Sequence, residues 1–167
     1  MFGKKKLNIK KLVIALIIPQ LAGFLGSIAN FTSLDTWYEG IVKPSFNPPN
    51  WIFGPVWTLL FLMMGLALYF IWQKRLKWGV DKKVDFALLI FYTQLGFNVI
   101  WSYLFFGLQN PLFALGEILV LWAVIALNIV LFWRLDRRAS LLLIPYILWV
   151  SFAVILNYNI WILNFGL

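Results

Sequence analysis

KPSFNPPNWIFGPVWTLLFLMMGLALYFIW, residues 43–72, joins a proline-rich stretch to an apolar run with no charged residue after Lys43. About 20 apolar residues, at about 1.5 Å of helical rise each, cross the hydrocarbon layer of a bilayer. Residues 51–72 therefore read as a membrane-spanning helix. Pro44, Pro48 and Pro49 fix their own φ and turn the residues before them away from helical geometry. Residues 32–50 thus read as a stiff, extended loop that hands over to the helix at Asn50, a good N-cap. Pro55 removes one backbone bond early in that helix and is expected to bend its first turns.

Four more segments have the same character, at about 12–31, 84–108, 112–133 and 139–163. They consume most of the 167 residues, of which 63% are hydrophobic and only 12% charged. The mean hydropathy is +0.88. The expected fold is all-α: a single five-helix membrane domain over residues 1–167, with the bilayer as its main partner. The opening KKKLNIKK before LVIALIIP has the polarity of a signal peptide. No small-residue cleavage site follows, and the apolar stretch is long, so a retained span is the reading.

The basic residues alternate in number along the chain. Five precede the first span (Lys4, Lys5, Lys6, Lys10, Lys11), and five lie between the second and third (Lys74, Arg75, Lys77, Lys82, Lys83). Three lie between the fourth and fifth (Arg134, Arg137, Arg138), leaving Lys43 alone of the fourteen on the other side. Positive charge gathers on the cytoplasmic face, which puts the N-terminus inside and the C-terminus outside. This explains the net charge of +8 without a nucleic-acid partner. The chain has no cysteine and no histidine, which removes disulfides, the commonest metal and haem ligands and the usual general base. No metal site, obligate cofactor or acid–base catalytic pair is expected.

Rise per residue converts this topology into depth. Trp57 lies roughly 9 Å below the outer boundary, and Asn98 and Trp101 share one face of the outer half of span three. Glu117 lies at a similar height in span four, and Trp149, Ala153 and Asn157 form an i, i+4, i+8 stripe in span five. Trp37, Trp51, Trp72, Trp78, Trp133 and Trp161 lie near span ends, as interfacial anchors do, whereas Trp57, Trp101, Trp122 and Trp149 are too deep for that role. Asn98 and Asn157 are either interhelical hydrogen-bond partners or ligand contacts. Ala22, Gly23, Gly26 and Ser27 allow close helix approach or leave room for a ligand. Glu117, the one carboxyl well inside a span, must be neutral, paired or facing a wet cavity, and is a functional candidate. The expected site is an aromatic, weakly polar cavity under the 43–50 loop, suited to flat apolar molecules.

The sequence resembles the tryptophan-rich sensory protein/translocator protein family, also called peripheral benzodiazepine receptors. The resemblance rests on WYEGIVKPSFNPPNWIFGPVW (37–57), YTQLGFNVIWSYLFFG (92–107), ALGEILVLW (114–122) and LLLIPYILWVSFAVILNYNIW (141–161). It implies a five-helix bundle that binds porphyrins and haem-pathway intermediates, benzodiazepine-type drugs and, in mitochondrial members, cholesterol. Trp57, Asn98, Trp101, Trp149, Ala153 and Asn157 would line the pocket, with Phe53 and Gly116 at variable family positions. Phe46 stands where the family usually has tryptophan. Ile162 stands where animal members carry the arginine that completes a proposed cholesterol pattern, itself a weak signal.

The expected function is a membrane receptor or carrier for a porphyrin-like ligand in a prokaryotic cell membrane. Lys43, Pro44, Pro48 and Pro49 would form its lid, with Lys43 meeting a ligand carboxylate, Glu39 or lipid headgroups. Two alternatives are a small proton-coupled exporter that uses Glu117, and light-dependent porphyrin breakdown through Trp57 and Trp149, as the resemblance implies. A homodimer is common in the family, and Gly96 would allow one.

Overall fold

The computed structural model describes residues 7–31, 33–74 and 81–166. Five helical stretches are long and apolar enough to cross a membrane: Ile9–Phe31, Asn50–Trp72, Lys82–Gly107, Pro111–Leu135 and Arg137–Phe165. Every boundary falls within three residues of its expected place. We label the helices α1 (Ile9–Phe31), α2 (Asn50–Trp72), α3 (Lys82–Ser102), α4 (Pro111–Leu135), α5 (Arg137–Leu141) and α6 (Ile144–Phe165).

Three local features depart from the sequence reading. The first loop is not extended throughout, because Leu34–Tyr38 coil into a π-helical turn. A second π turn, Tyr103–Gly107, continues α3. The fifth span is broken between α5 and α6, because Pro145 has no N–H to continue the helical bonding from Leu141. Asn50 is not an N-cap either. Pro49 holds the extended capping position, and Asn50 is the first helical residue. True side-chain caps occur at Asp81, Asn110 and Asp136, which accept from Val84, Phe113 and Arg138 backbone N–H groups respectively.

Packing is closest where side chains are smallest. A Cβ on Gly65 of α2 would lie 2.7 Å from Leu16 Cα and 2.8 Å from the Ala15 carbonyl, so only glycine lets α1 and α2 approach this far. Helix α4 packs on α3 and α6, α1 on α2 and α3, and α5 bridges α2 and α4. The two sides of the core meet where Phe91 and Phe132 stack with ring centroids 5.8 Å apart. Beside them Gln94 Nε2 donates to Asn128 Oδ1 at 3.3 Å, and Asn128 Nδ2 to the Ala87 carbonyl at 3.1 Å. This buried polar link between α3 and α4 is absent from the sequence expectations.

One end of the bundle carries all the described basic residues except Lys43. Lys74 Nζ lies 3.1 Å from Asp136 Oδ2, and Arg138 grips the same carboxylate through Nε at 3.2 Å and Nη2 at 3.1 Å. Burial pushes the Asp136 pKa up. Hydrogen bonds from Arg138 and Lys74 outweigh it and leave the group at about 2. The anchors and charges expected at Lys4, Lys5, Lys6, Arg75, Lys77 and Trp78 lie outside the described residues. The opposite end gathers the 33–49 loop, the α3–α4 turn and the end of α6. There Ser33 Oγ donates to the Phe106 carbonyl at 2.6 Å.

Candidate functional site

Helices α2 and α6 are not packed closely along their backbones; in the half of the bundle below the loop, rings bridge them. The Trp57 ring stands edge-on to Tyr146 at 6.1 Å, and Phe53 edge-on to Trp149 at 5.8 Å. Helix α1 contributes the small Gly23, Gly26 and Ser27 beside Gln20, Phe24 and Asn30. The result is a cavity of about 600 Å³, walled by α1, α2, α3 and α6 and roofed by Leu34, Asp35 and Tyr38 of the first π turn. Its size falls in the range of small-molecule sites.

Three indoles define its shape. Trp57 stacks on Phe61 at 5.4 Å, and Gly23 is the slot that receives this phenyl, since a Cβ there would collide with the ring. Trp101 stacks on Phe105 at 5.1 Å. Trp149 leans on Phe152 at 5.5 Å. Buried amides hold these rings in place. Trp101 Nε1 donates to Asn157 Oδ1 at 3.1 Å, Asn157 Nδ2 donates to the Pro111 carbonyl at 2.8 Å, and Asn98 Nδ2 donates to Tyr146 Oη at 3.3 Å. The two asparagines therefore join helices, and both also border the cavity.

Of the residues singled out from sequence, the structure brings Phe53, Trp57, Asn98, Trp101, Trp149, Ala153 and Asn157 to one wall system. It does not bring Gly116 or Glu117 there. No α4 residue lines the cavity, because α3 and α6 stand between it and α4. Gly116 faces open space on the exposed side of α4. Both Glu117 carboxyl oxygens are buried without a hydrogen-bond partner among the described residues. Phe46 is also off the wall, half exposed with its ring 6.3 Å from Phe152.

The lid residues Lys43, Pro44, Pro48 and Pro49 are not themselves part of the cavity lining. They stiffen the loop above it. Tyr38 Oη donates to Asn47 Oδ1 at 3.1 Å. Burial raises the Tyr38 phenol pKa, against that hydrogen bond, which keeps the hydroxyl a donor. Lys43 does not pair with the Glu39 carboxylate. Its Nζ reaches the Glu39 and Ile41 carbonyls at 3.3 and 3.4 Å and lies 4.7 Å from the Tyr38 ring centroid. At the far end of α6, Asn164 accepts from Val42 N–H at 2.8 Å and donates to its carbonyl at 2.9 Å, clamping the loop.

Sequence reasoning missed Gln20, Asn30, Asp35 and Asn50 in the lining. A signal was present: Gln20, Gly23, Ser27 and Asn30 follow helical spacing along α1 as a small and polar stripe. Trp51, expected as an anchor, is 73% exposed and also lines the cavity mouth, while Trp122 is half exposed and donates to Ser151 Oγ at 2.8 Å.

Residues 15–162 match the model of the TspO/MBR family. The chain belongs to the TspO/MBR family. It is 46% identical over 158 residues to the tryptophan-rich protein TspO of Archaeoglobus fulgidus, covering 95% of this chain and 99% of that protein. It is 34% identical over 150 residues to the human translocator protein, covering 90% and 88% of the two chains. Over 132 residues it is 35% identical to the tryptophan-rich sensory protein of Cereibacter sphaeroides, covering 79% of each. Family membership and the five long apolar helices together make this TspO/MBR member an integral, multi-pass membrane protein.

Proposed function

We propose that this protein is a membrane receptor or carrier that takes porphyrins and related flat hydrophobic molecules into the cavity among α1, α2, α3 and α6. The observation that carries this reading is the convergence of Trp57, Trp101 and Trp149 on one cavity of about 600 Å³. Stacking and burial against such walls favour a planar ring over a flexible chain. With no histidine or cysteine in the sequence to supply the commonest haem ligands, binding should depend on the ring more than on an iron atom. The basic residues set the N-terminus in the cytoplasm and the cavity end outside, in the membrane of a prokaryotic cell. The exposed face of α3 around Gly96, where an added Cβ meets nothing within 4 Å, supports a homodimer across that helix.

Titration with metal-free protoporphyrin IX should quench tryptophan fluorescence saturably. Failure to do so, while haem binds well, would overturn the reading. A second reading is favoured by one fact: Trp57 and Trp149 both line the cavity. An indole against a photoexcited porphyrin can donate an electron to it, so light-dependent breakdown needs no acid–base residue. Photoproducts unchanged in a Trp57→Phe, Trp149→Phe protein would remove it.

A further inference from the structure

One side of the cavity faces lipid. Gln20 and Phe24 of α1 and Gly54 and Thr58 of α2 border the seam between these helices, and all four line the cavity. Phe24 is 60% exposed, and Gly54 and Thr58 are exposed as well. They lie inside the spans Ile9–Phe31 and Asn50–Trp72, so what they are exposed to is the bilayer. Direct packing closes the seam at its deep end, where Gly65 brings the backbones together and the Phe61 ring fills the Gly23 slot. Thr58 lies about two turns of α2 nearer the loop. There, among the described residues, one side-chain hydrogen bond joins α1 to α2: Gln20 Nε2 donates to the Thr58 carbonyl at 3.0 Å. Gln20 is the sole polar side chain of α1 between Lys11 and Ser27. An amide beside lipid is costly unless bonded, and this one places its donor across the gap. The Thr58 hydroxyl does not help, since it donates within α2 to the Gly54 carbonyl at 2.9 Å.

We infer that the seam between α1 and α2 is a lateral port through which a ligand dissolved in the bilayer enters and leaves the cavity, with the Gln20–Thr58 bond as its latch. The inference rests on the reading above that the cavity holds flat hydrophobic ligands. Such molecules concentrate in the hydrocarbon layer and not in water, so a port into lipid meets them where they are most abundant. The port is additional to the loop side, where Asn164 clamps Val42. Releasing the latch breaks a bond of ordinary strength and leaves the Gly65 contact in place.

The chain has no cysteine, so a bridge can be placed at a chosen pair. A Gln20→Cys, Thr58→Cys protein in zwitterionic proteoliposomes is joined across the seam with a short bis-thiosulfonate. A Val42→Cys, Asn164→Cys protein is joined in the same way across the loop clamp. The probe is protoporphyrin IX dimethyl ester, an uncharged ring that stays in the bilayer. Stopped-flow tryptophan quenching follows its uptake and, by exchange with empty vesicles, its release. The seam bridge should slow both by about tenfold or more, and further than the loop bridge does, with reduction of the link restoring the speed. Gln20→Leu, which lacks the latch, should instead hasten both about three- to tenfold. Exchange slowed by the loop bridge alone, or unchanged by the seam bridge, would overturn the lateral port while leaving the cavity reading intact. No saturable quenching of the wild-type protein would overturn both.

Discussion

Asn157 of α6 accepts the Trp101 indole N–H of α3 at 3.1 Å and donates to the Pro111 carbonyl of α4 at 2.8 Å, so one amide ties three helices together. Asn157→Ala leaves the Trp101 indole donor unpaired in a partly buried site and removes the interhelical bond to the Pro111 carbonyl, which keeps its partner within α4. Interhelical bonds in membranes are individually modest, and the orphaned indole adds to the loss. The variant should lose about 1–2 kcal/mol of stability, read by thermal or denaturant unfolding in detergent. It should also bind porphyrin less tightly, since Trp101 is no longer held. Unchanged unfolding would show that the amide bonds are replaced without cost.

The glycines sort into two kinds. Gly65→Ala drives a methyl into the backbone at Ala15 and Leu16 and should cost about 1–3 kcal/mol. Gly96→Ala and Gly116→Ala meet nothing within 4 Å and should stay within about 0.5 kcal/mol of the wild type. Unfolding of the three proteins side by side decides it, with equal effects ruling out the packing account.

Asp136 predicts an acid limb. Folding lowers its pKa from the ordinary 3.8 to about 2, so its contribution is complete above the higher value and is lost as pH falls from there through about 2. Asp136→Asn should remove that contribution at neutral pH. Its stability curve should converge on the wild type toward pH 2. Parallel curves between pH 5 and pH 2 would refute the linkage.

Asn164 makes the loop clamp testable apart from the prolines. Asn164→Ala removes both bonds to Val42. Two exposed bonds of ordinary strength should hasten porphyrin release about three- to tenfold with little change in bundle stability. Pro48→Ala, Pro49→Ala should weaken binding through a floppier loop instead. Stopped-flow recovery of tryptophan fluorescence separates the two, and unaltered release in both would show that the loop does not gate the cavity.

The five spans were legible because a bilayer demands length and apolarity, and both can be read from Ile9–Phe31 or Pro111–Leu135 without knowing the packing. Height within the membrane was legible too, which is why Trp57, Trp101, Trp149 and Asn157 share a cavity as expected. Azimuth was not. When every face of a helix is apolar, composition cannot say which neighbours a side chain meets, so Glu117 is buried inside the bundle yet off the cavity wall. The Asn50 and Leu34–Tyr38 misreadings have another cause. Pro49 can itself hold the extended capping geometry, and a π turn has no strong local sequence signature.

The contact at Gly65 has a consequence for how the molecule changes shape. Near that residue α1 and α2 touch backbone to backbone, while toward the loop they are separated by the Phe61 ring in its glycine slot and then by the cavity. The pair is pinned at one end, and toward the loop the Gln20 Nε2 bond to the Thr58 carbonyl at 3.0 Å holds it across the gap. Widening the cavity between α1 and α2 would break that one bond while the Gly65 contact stays in place.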